Sequence, residues 1–448
     1  MALYDNCTWD AGNKILTMVA DDVRGSTEGN PFSFQDVVDV IVAKGWGAVY
    51  AVSASGTQFE FEFRIIIGNA ATTTWFVDVS KHVEFLPSAV SGNYQRLIEL
   101  KKYAYLRLGN VVDATNHETD KGCAVIFDNE DNRAYIVIIY GADDYVYSSV
   151  ELYDSKLSCI PLLDKNIVYA ASIAYSRNIT IFNCIFDGVY LTACRQTNIY
   201  NLYVSNVPYG MAYLRYIDAY PSTIQKVTID YVGYGLYQNA YYAHDFTDLR
   251  IQDVDFQTFR MINVVVDCSV IDAEIPAWTF SWEGTNTAKL YRKYSFDLTV
   301  TNKLGVAISG VTVTLKDKDG NVVFTDTTDA LGQIATKTVS RGYYDQAHGD
   351  TLQDYSPHTI IVSKTGYITI NTIFTLDKYL DWRIPLLTQT DVAGAGAAGY
   401  TRTVYIEKKP TVTDYLIYSL TAHILSERRK TIRNLKTKLI IPLEETTP

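Results

Sequence analysis

The sequence predicts an all-β chain: a right-handed parallel β-helix, then an immunoglobulin-like β-sandwich, then a C-terminal docking arm. Three observations carry this. The first is composition: 35 of 448 residues are Tyr, and Val, Ile and Thr recur throughout, side chains that fit a pleated surface. The second is an internal repeat in which Ile199, Leu202, Val204, Val207, Tyr209 and Gly210 are matched, 25 residues on, by Ile224, Val227, Ile229, Val232, Tyr234 and Gly235. A period in the twenties signals a solenoid, whose coils bury their apolar faces only by stacking on neighbours. The third is a downstream run of short alternating segments punctuated by glycine turns, the pattern of an antiparallel sandwich.

In chain order, residues 1–93 read as an N-terminal α/β cap. Ser33 is an N-cap candidate, with Phe34, Val37, Val38, Ile41 and Val42 at helical spacing behind it and Gly45 as the stop. Apolar or alternating runs over 59–67, 75–79 and 82–86 read as strands. A helix laid over them would cover the open end of a β stack.

Residues 94–290 are assigned to the β-helix. Flanking echoes of the repeat begin at Asn178 and Asp248, each with alternating apolar residues that line one side of a strand. A leucine-rich repeat would need Asn or Cys in its ninth position, where this chain has Val207 and Val232. The strands flanked by Gly, Asn and Asp corners instead resemble right-handed parallel β-helix proteins of the pectin-lyase-like group. The number of coils stays open, because the segment between Leu97 and Ile173 is irregular.

Residues 291–388 form the predicted sandwich. Gly305, Gly310, Thr328, Asp329, Gly332, Gly366 and Tyr367 give it a pattern similar to the carboxypeptidase-regulatory or transthyretin-like family, and the resemblance implies a spacer or docking module without chemistry of its own. Residues 389–448 begin with a flexible Gly/Ala linker from Ala393 and continue into a basic arm. Between Leu425 and Lys438 stand Arg428, Arg429, Lys430, Arg433, Lys436 and Lys438 against Glu427, although the whole chain carries a net charge of −11. An acidic body argues against non-specific nucleic-acid binding. The arm reads as a protein-docking segment through Arg428, Arg429, Lys430 and Arg433.

Chemistry is sparse. The six cysteines form no C-x-x-C pair and read as small buried hydrophobes, and the histidines show no metal-ligand spacing. No metal or cofactor is expected. Asp230 and Asp255 are 25 apart, so a strict repeat would stack them on adjacent coils about 4.8 Å apart, a carboxylate pair of the sort that sugar-cleaving sites use. Both are expected to point outward into water, and a solvated face is the default reading. The catalytic segments of polygalacturonases, Asn-Thr-Asp and Gly-His-Gly, do not occur, and His244 and Asp245 would face opposite sides of a strand. Twelve tyrosines lie between Tyr190 and Tyr242. Of these, Tyr209 and Tyr234 are candidate binding residues for a sugar or a protein, with corner-stabilising ladders as the plainer reading.

The N-terminus lacks a secretory signal pattern, and no stretch of the sequence is long and apolar enough to span a bilayer. A β-helix joined to such a sandwich with a basic tail resembles accessory structural proteins of tailed bacterial viruses. That resemblance implies a virion component assembled in the host cytoplasm and exposed after lysis: a non-enzymatic capsid decoration, fibre or adhesin. It would contact other virion proteins and itself as a homo-oligomer, a trimer being one form. The alternatives are a polysaccharide lyase or hydrolase of the tailspike type, working through Asp230 and Asp255, and a surface glycan-binding protein.

Overall fold

A computed structural model describes residues 3–79, 81–86, 95–109, 124–128, 134–139, 148–160, 171–174, 178–192, 196–212, 223–239, 245–388 and 405–406. Among these the fold is all-β apart from one α-helix, Phe34–Lys44. Ser33 caps that helix in a reciprocal capping box with Asp36, and Gly45 closes it at φ 66°, a left-handed conformation that suits glycine. Val37, Val40 and Ile41 are fully buried, whereas Val42, expected on the apolar stripe, is exposed. The Phe34 ring lies 5.0 Å from Phe76 and 6.1 Å from Phe61, so the helix packs against the first strands.

The body is a three-faced parallel β-helix. Its first face runs through Gln58–Phe61, His82–Phe85, Ala124–Asp128 and Lys156–Ile160, and on through residues 184–187, 202–205, 227–230 and 249–251. The second passes from Ile15–Met18 through Arg64–Ile67 and Gln95–Leu100 as far as Phe280–Glu283. The third runs from Thr74–Asp78 to residues 290–293. Coiling therefore begins well before residue 94, inside what the sequence assigns to the cap. The reason is that His82 pairs with Gln58, 24 residues earlier, but the next step, from His82 to Ala124, is 42. A single regular step leaves no period to read.

Inward-facing residues stack coil on coil. Ile199, Ile224 and Phe246 form one column, and Leu202, Val227 and Leu249 another, all at most 2% exposed. Each such side chain contributes on the order of 1.5–3 kcal/mol by leaving water. Corners are turned by single residues with positive φ. Asp154, Asn183, Asn201, Lys226, Asp248 and Asp272 occupy one corner, and Gly188, Asn206, Tyr231 and Asp253 the next. Asn and Asp tolerate this region because their short polar side chains bond locally. The four described cysteines, Cys7, Cys159, Cys184 and Cys268, are buried and form no disulfide among the described residues, and burial pushes the Cys184 and Cys268 thiols up to about 12.

Leu290–Thr301 leaves the last coil without a break. Its residues 290–293 still pair with Cys268–Ile271 in the solenoid, while its outer edge pairs antiparallel with Lys337–Tyr344 and residues 296–301 pair with Leu380–Pro385. A second, four-stranded sheet of Val322–Thr327, Thr312–Lys316, His358–Ser363 and Ile370–Phe374 faces it. Phe296, Leu298, Val313, Leu315, Ile360 and Val362 fill the space between. The Thr328-Asp329 turn is local chemistry: buried Thr328 donates to Ile308 O at 2.8 Å, and Asp329 Oδ1 accepts from the amides of Leu331 and Gln333. Gly332, at φ 74°, lets the chain pass Val300 O, which a Cβ would meet at 2.4 Å.

Candidate functional site

Four of the residues singled out in the sequence, Tyr209, Asp230, Tyr234 and Asp255, lie on or beside the first and second faces of the solenoid. The repeat register is observed directly, with Ser205 opposite Asp230 and Tyr209 opposite Tyr234.

Asp230 and Asp255 are not brought together. After Ile229 the chain reaches the next coil in 22 residues rather than 25, pairing Ile229 with Ile251 and Val232 with Val254. Asp255 therefore lies past the corner, where its amide bonds Val232 O at 3.0 Å. Nor does Asp230 face water. It is 4% exposed, because Tyr203 lies over it and donates its hydroxyl to Oδ2 at 3.1 Å. Its neighbours continue a polar column in which Ser205 Oγ and Asn206 Nδ2 both donate to Asp187 Oδ1, at 3.2 and 2.6 Å. Asp255 is exposed. One carboxylate covered by a phenol and another in solvent share no groove.

Tyr209 and Tyr234 do meet, stacked at 5.6 Å between centroids with 16° between planes. The stack continues to Phe256, 5.1 Å from Tyr234 and half exposed, and Tyr237 lies against Tyr209 at 5.1 Å. Arg260 ties this group together. Its guanidinium sits 4.7 Å from the Tyr237 centroid and 5.2 Å from that of Tyr234, and Nη1 donates to Tyr209 Oη at 3.2 Å. A two-pronged contact with Glu283, at 2.8 and 3.1 Å, fixes the guanidinium and holds the Glu283 carboxyl below its ordinary value. Composition pointed to the tyrosines. Arg260 and Glu283 gave no sequence signal, because they meet only through the pairing of Phe259–Ile262 with Phe280–Glu283.

The Tyr234 ring is packed between Tyr209 and Phe256, so it has little open face of its own. That favours a flat protein contact over stacking on a sugar. Arg428, Arg429, Lys430 and Arg433 lie outside the described residues. No helix among the described residues is long and apolar enough to cross a membrane. Also among them, no group of three or more His, Cys, Asp and Glu side chains converges to hold a metal ion.

No family model matches the chain, and no curated protein matches it. A solved structure found by comparison, the enzymatically active domain of tailspike protein 2 of bacteriophage CBA120, is 10% identical, with 72% of each chain covered and a TM-score of 0.18. At that score the likeness carries no argument about this chain's fold or activity.

Proposed function

We propose that this chain is a non-enzymatic structural or adhesive component of a virus particle, a decoration, fibre or adhesin that acts as a homo-oligomer. The observation that supports the non-enzymatic part is the flank itself: a packed aromatic ladder pinned by Arg260 and Glu283, with the two carboxylates of the rival reading not stacked on one another. Aromatic side chains and Arg are enriched at protein contacts. The particle assignment rests on the likeness of the architecture, a solenoid fused to a sandwich, to accessory proteins of tailed bacterial viruses.

The rival reading is a polysaccharide depolymerase. Imaging of purified protein and of particles, beside a screen of reducing-end release from acidic and neutral polysaccharides, separates the two. Regular oligomers or particle-bound copies with no release support the proposal. Release that is lost on Asp230→Asn with Asp255→Asn overturns it.

A further inference from the structure

A cavity of about 370 Å³ opens where the last coil meets the sandwich, lined by Lys318, Tyr343, Gln353, Asp354 and Tyr355. It is far along the chain from the aromatic ladder and is built differently. The strand Lys337–Tyr344 pairs on one side with Leu290–Thr301 and on the other with Gln353–Asp354. Tyr343 is thereby set next to Gln353, and the loop at Lys318 is tied down by its amide bond to Tyr355 O at 3.0 Å. The Tyr343 and Tyr355 rings stand 6.0 Å apart at 53°, two walls of an open V rather than a closed stack. Lys289 Nζ reaches across Tyr343, 4.1 Å from its centroid.

We propose that this junction cleft binds a neutral hexose unit of a glycan. Three features favour that class. Tyr355, set at 53° to the Tyr343 ring that Lys289 covers, supplies a phenol for the C–H side of a pyranose. The volume falls in the range of roughly 300–1,000 Å³ typical of small-ligand sites and accommodates a sugar unit. The polar lining is mixed: Lys318 and Asp354 carry opposite charges beside the uncharged Gln353, with Lys318 bonded to Asp319 at 2.8 Å and Asp354 accepting from Arg341 at 3.1 Å. The one cation and one carboxylate of the lining offset each other, so the cleft offers donors and acceptors to hydroxyls without excess positive charge to select an anion.

The inference goes beyond the particle assignment and does not depend on it, since imaging tests that assignment and saccharide binding tests this one. Saturation-transfer NMR and calorimetry on the full chain would use maltotriose, cellotriose, galactotriose and chitotriose, with trigalacturonate as the charged counterpart. At least one neutral trisaccharide is expected to bind, with affinity falling about tenfold or more in Tyr355→Ala and in Gln353→Ala, and staying unchanged in Leu304→Ala, an exposed position outside the cleft. Unaltered circular dichroism and melting of the variants excludes misfolding as the cause. The proposal is overturned by no binding of any neutral trisaccharide at roughly 10 mM, by binding of trigalacturonate alone, or by an affinity that Tyr355→Ala leaves unchanged.

Discussion

Asn201 donates from Nδ2 to Oδ1 of Asn183 at 2.7 Å, and Asn183 in turn donates to Asp154 Oδ1 at 3.0 Å. Each of the three sits at positive φ on its own coil, so one column of side chains both turns the corner and bonds successive turns together. Asn183→Ala is expected to cost about 2–3 kcal/mol, combining left-handed strain with the lost bonds. Asn183→Gly, which keeps the conformation, should cost less. Urea unfolding followed by circular dichroism gives the order of the two, and an alanine no worse than glycine would refute the account.

Gly210 recurs as Gly235 for a packing reason. A Cβ on Gly210 would stand 2.4 Å from Ile229 Cγ2 and 2.7 Å from Gly235 O. The carbonyl is held in the ladder and cannot yield. Gly210→Ala should therefore destabilise by about 1–3 kcal/mol through overpacking, seen as a lower urea midpoint, whereas Gly320→Ala, with nothing within 4 Å, should cost less and do so through its φ of 84° alone.

Asp78 joins the helix to the first coil by accepting from the Phe34 amide at 3.0 Å, while its Oδ1 is buried without a hydrogen-bond partner among the described residues. Burial pushes this carboxyl up to about 7. The folded state thus holds a proton that the unfolded chain, titrating near 3.8, has released. The stabilisation is fully present below about pH 4 and is lost as pH rises through 7, up to about 4 kcal/mol in all. Hydrogen-exchange protection of Phe34–Lys44 should fall from pH 5 to pH 8, and Asp78→Asn should flatten that slope while keeping an acceptor for Phe34.

The sandwich should respond with the opposite sign. His358 is fully buried, its Nδ1 is 3.0 Å from Ser356 Oγ, and burial depresses its pKa below 6.5. Here the unfolded state takes up the proton first, so stability is present above the ordinary histidine range and is lost as pH falls below about 6.5. Protection of His358–Ser363 should decline from pH 7 toward pH 5, and His358→Gln should remove the dependence.

What could be read in the sequence follows from where insertions fall. The two strands Gln196–Ala212 and Thr223–Asn239 pair along nearly their whole length, so Ile199 and Ile224 announce their stacking. Asp255 misleads because the following coil is shorter, a difference set at a corner that leaves no trace in an apolar pattern. Thr328, Asp329 and Gly332 were legible because their bonds close within a few residues. Asp230 was read as solvated because alternation assigns a side chain to a face but cannot foresee a tyrosine folding over it. Tyr343 and Tyr355 were missed because their cleft arises only when Gln353–Asp354 is laid beside Lys337–Tyr344.

The unbroken passage of Leu290–Thr301 from coil to sandwich has a mechanical meaning. A flexible joint between two folded parts stretches before it transmits load. Here no slack exists at the joint: tension on the sandwich enters the solenoid along a rung and is shared by the hydrogen bonds between residues 290–293 and Cys268–Ile271. Pulled sideways, the two parts should turn together as one lever, and rupture should begin where the ladder is peeled and not by paying out a tether.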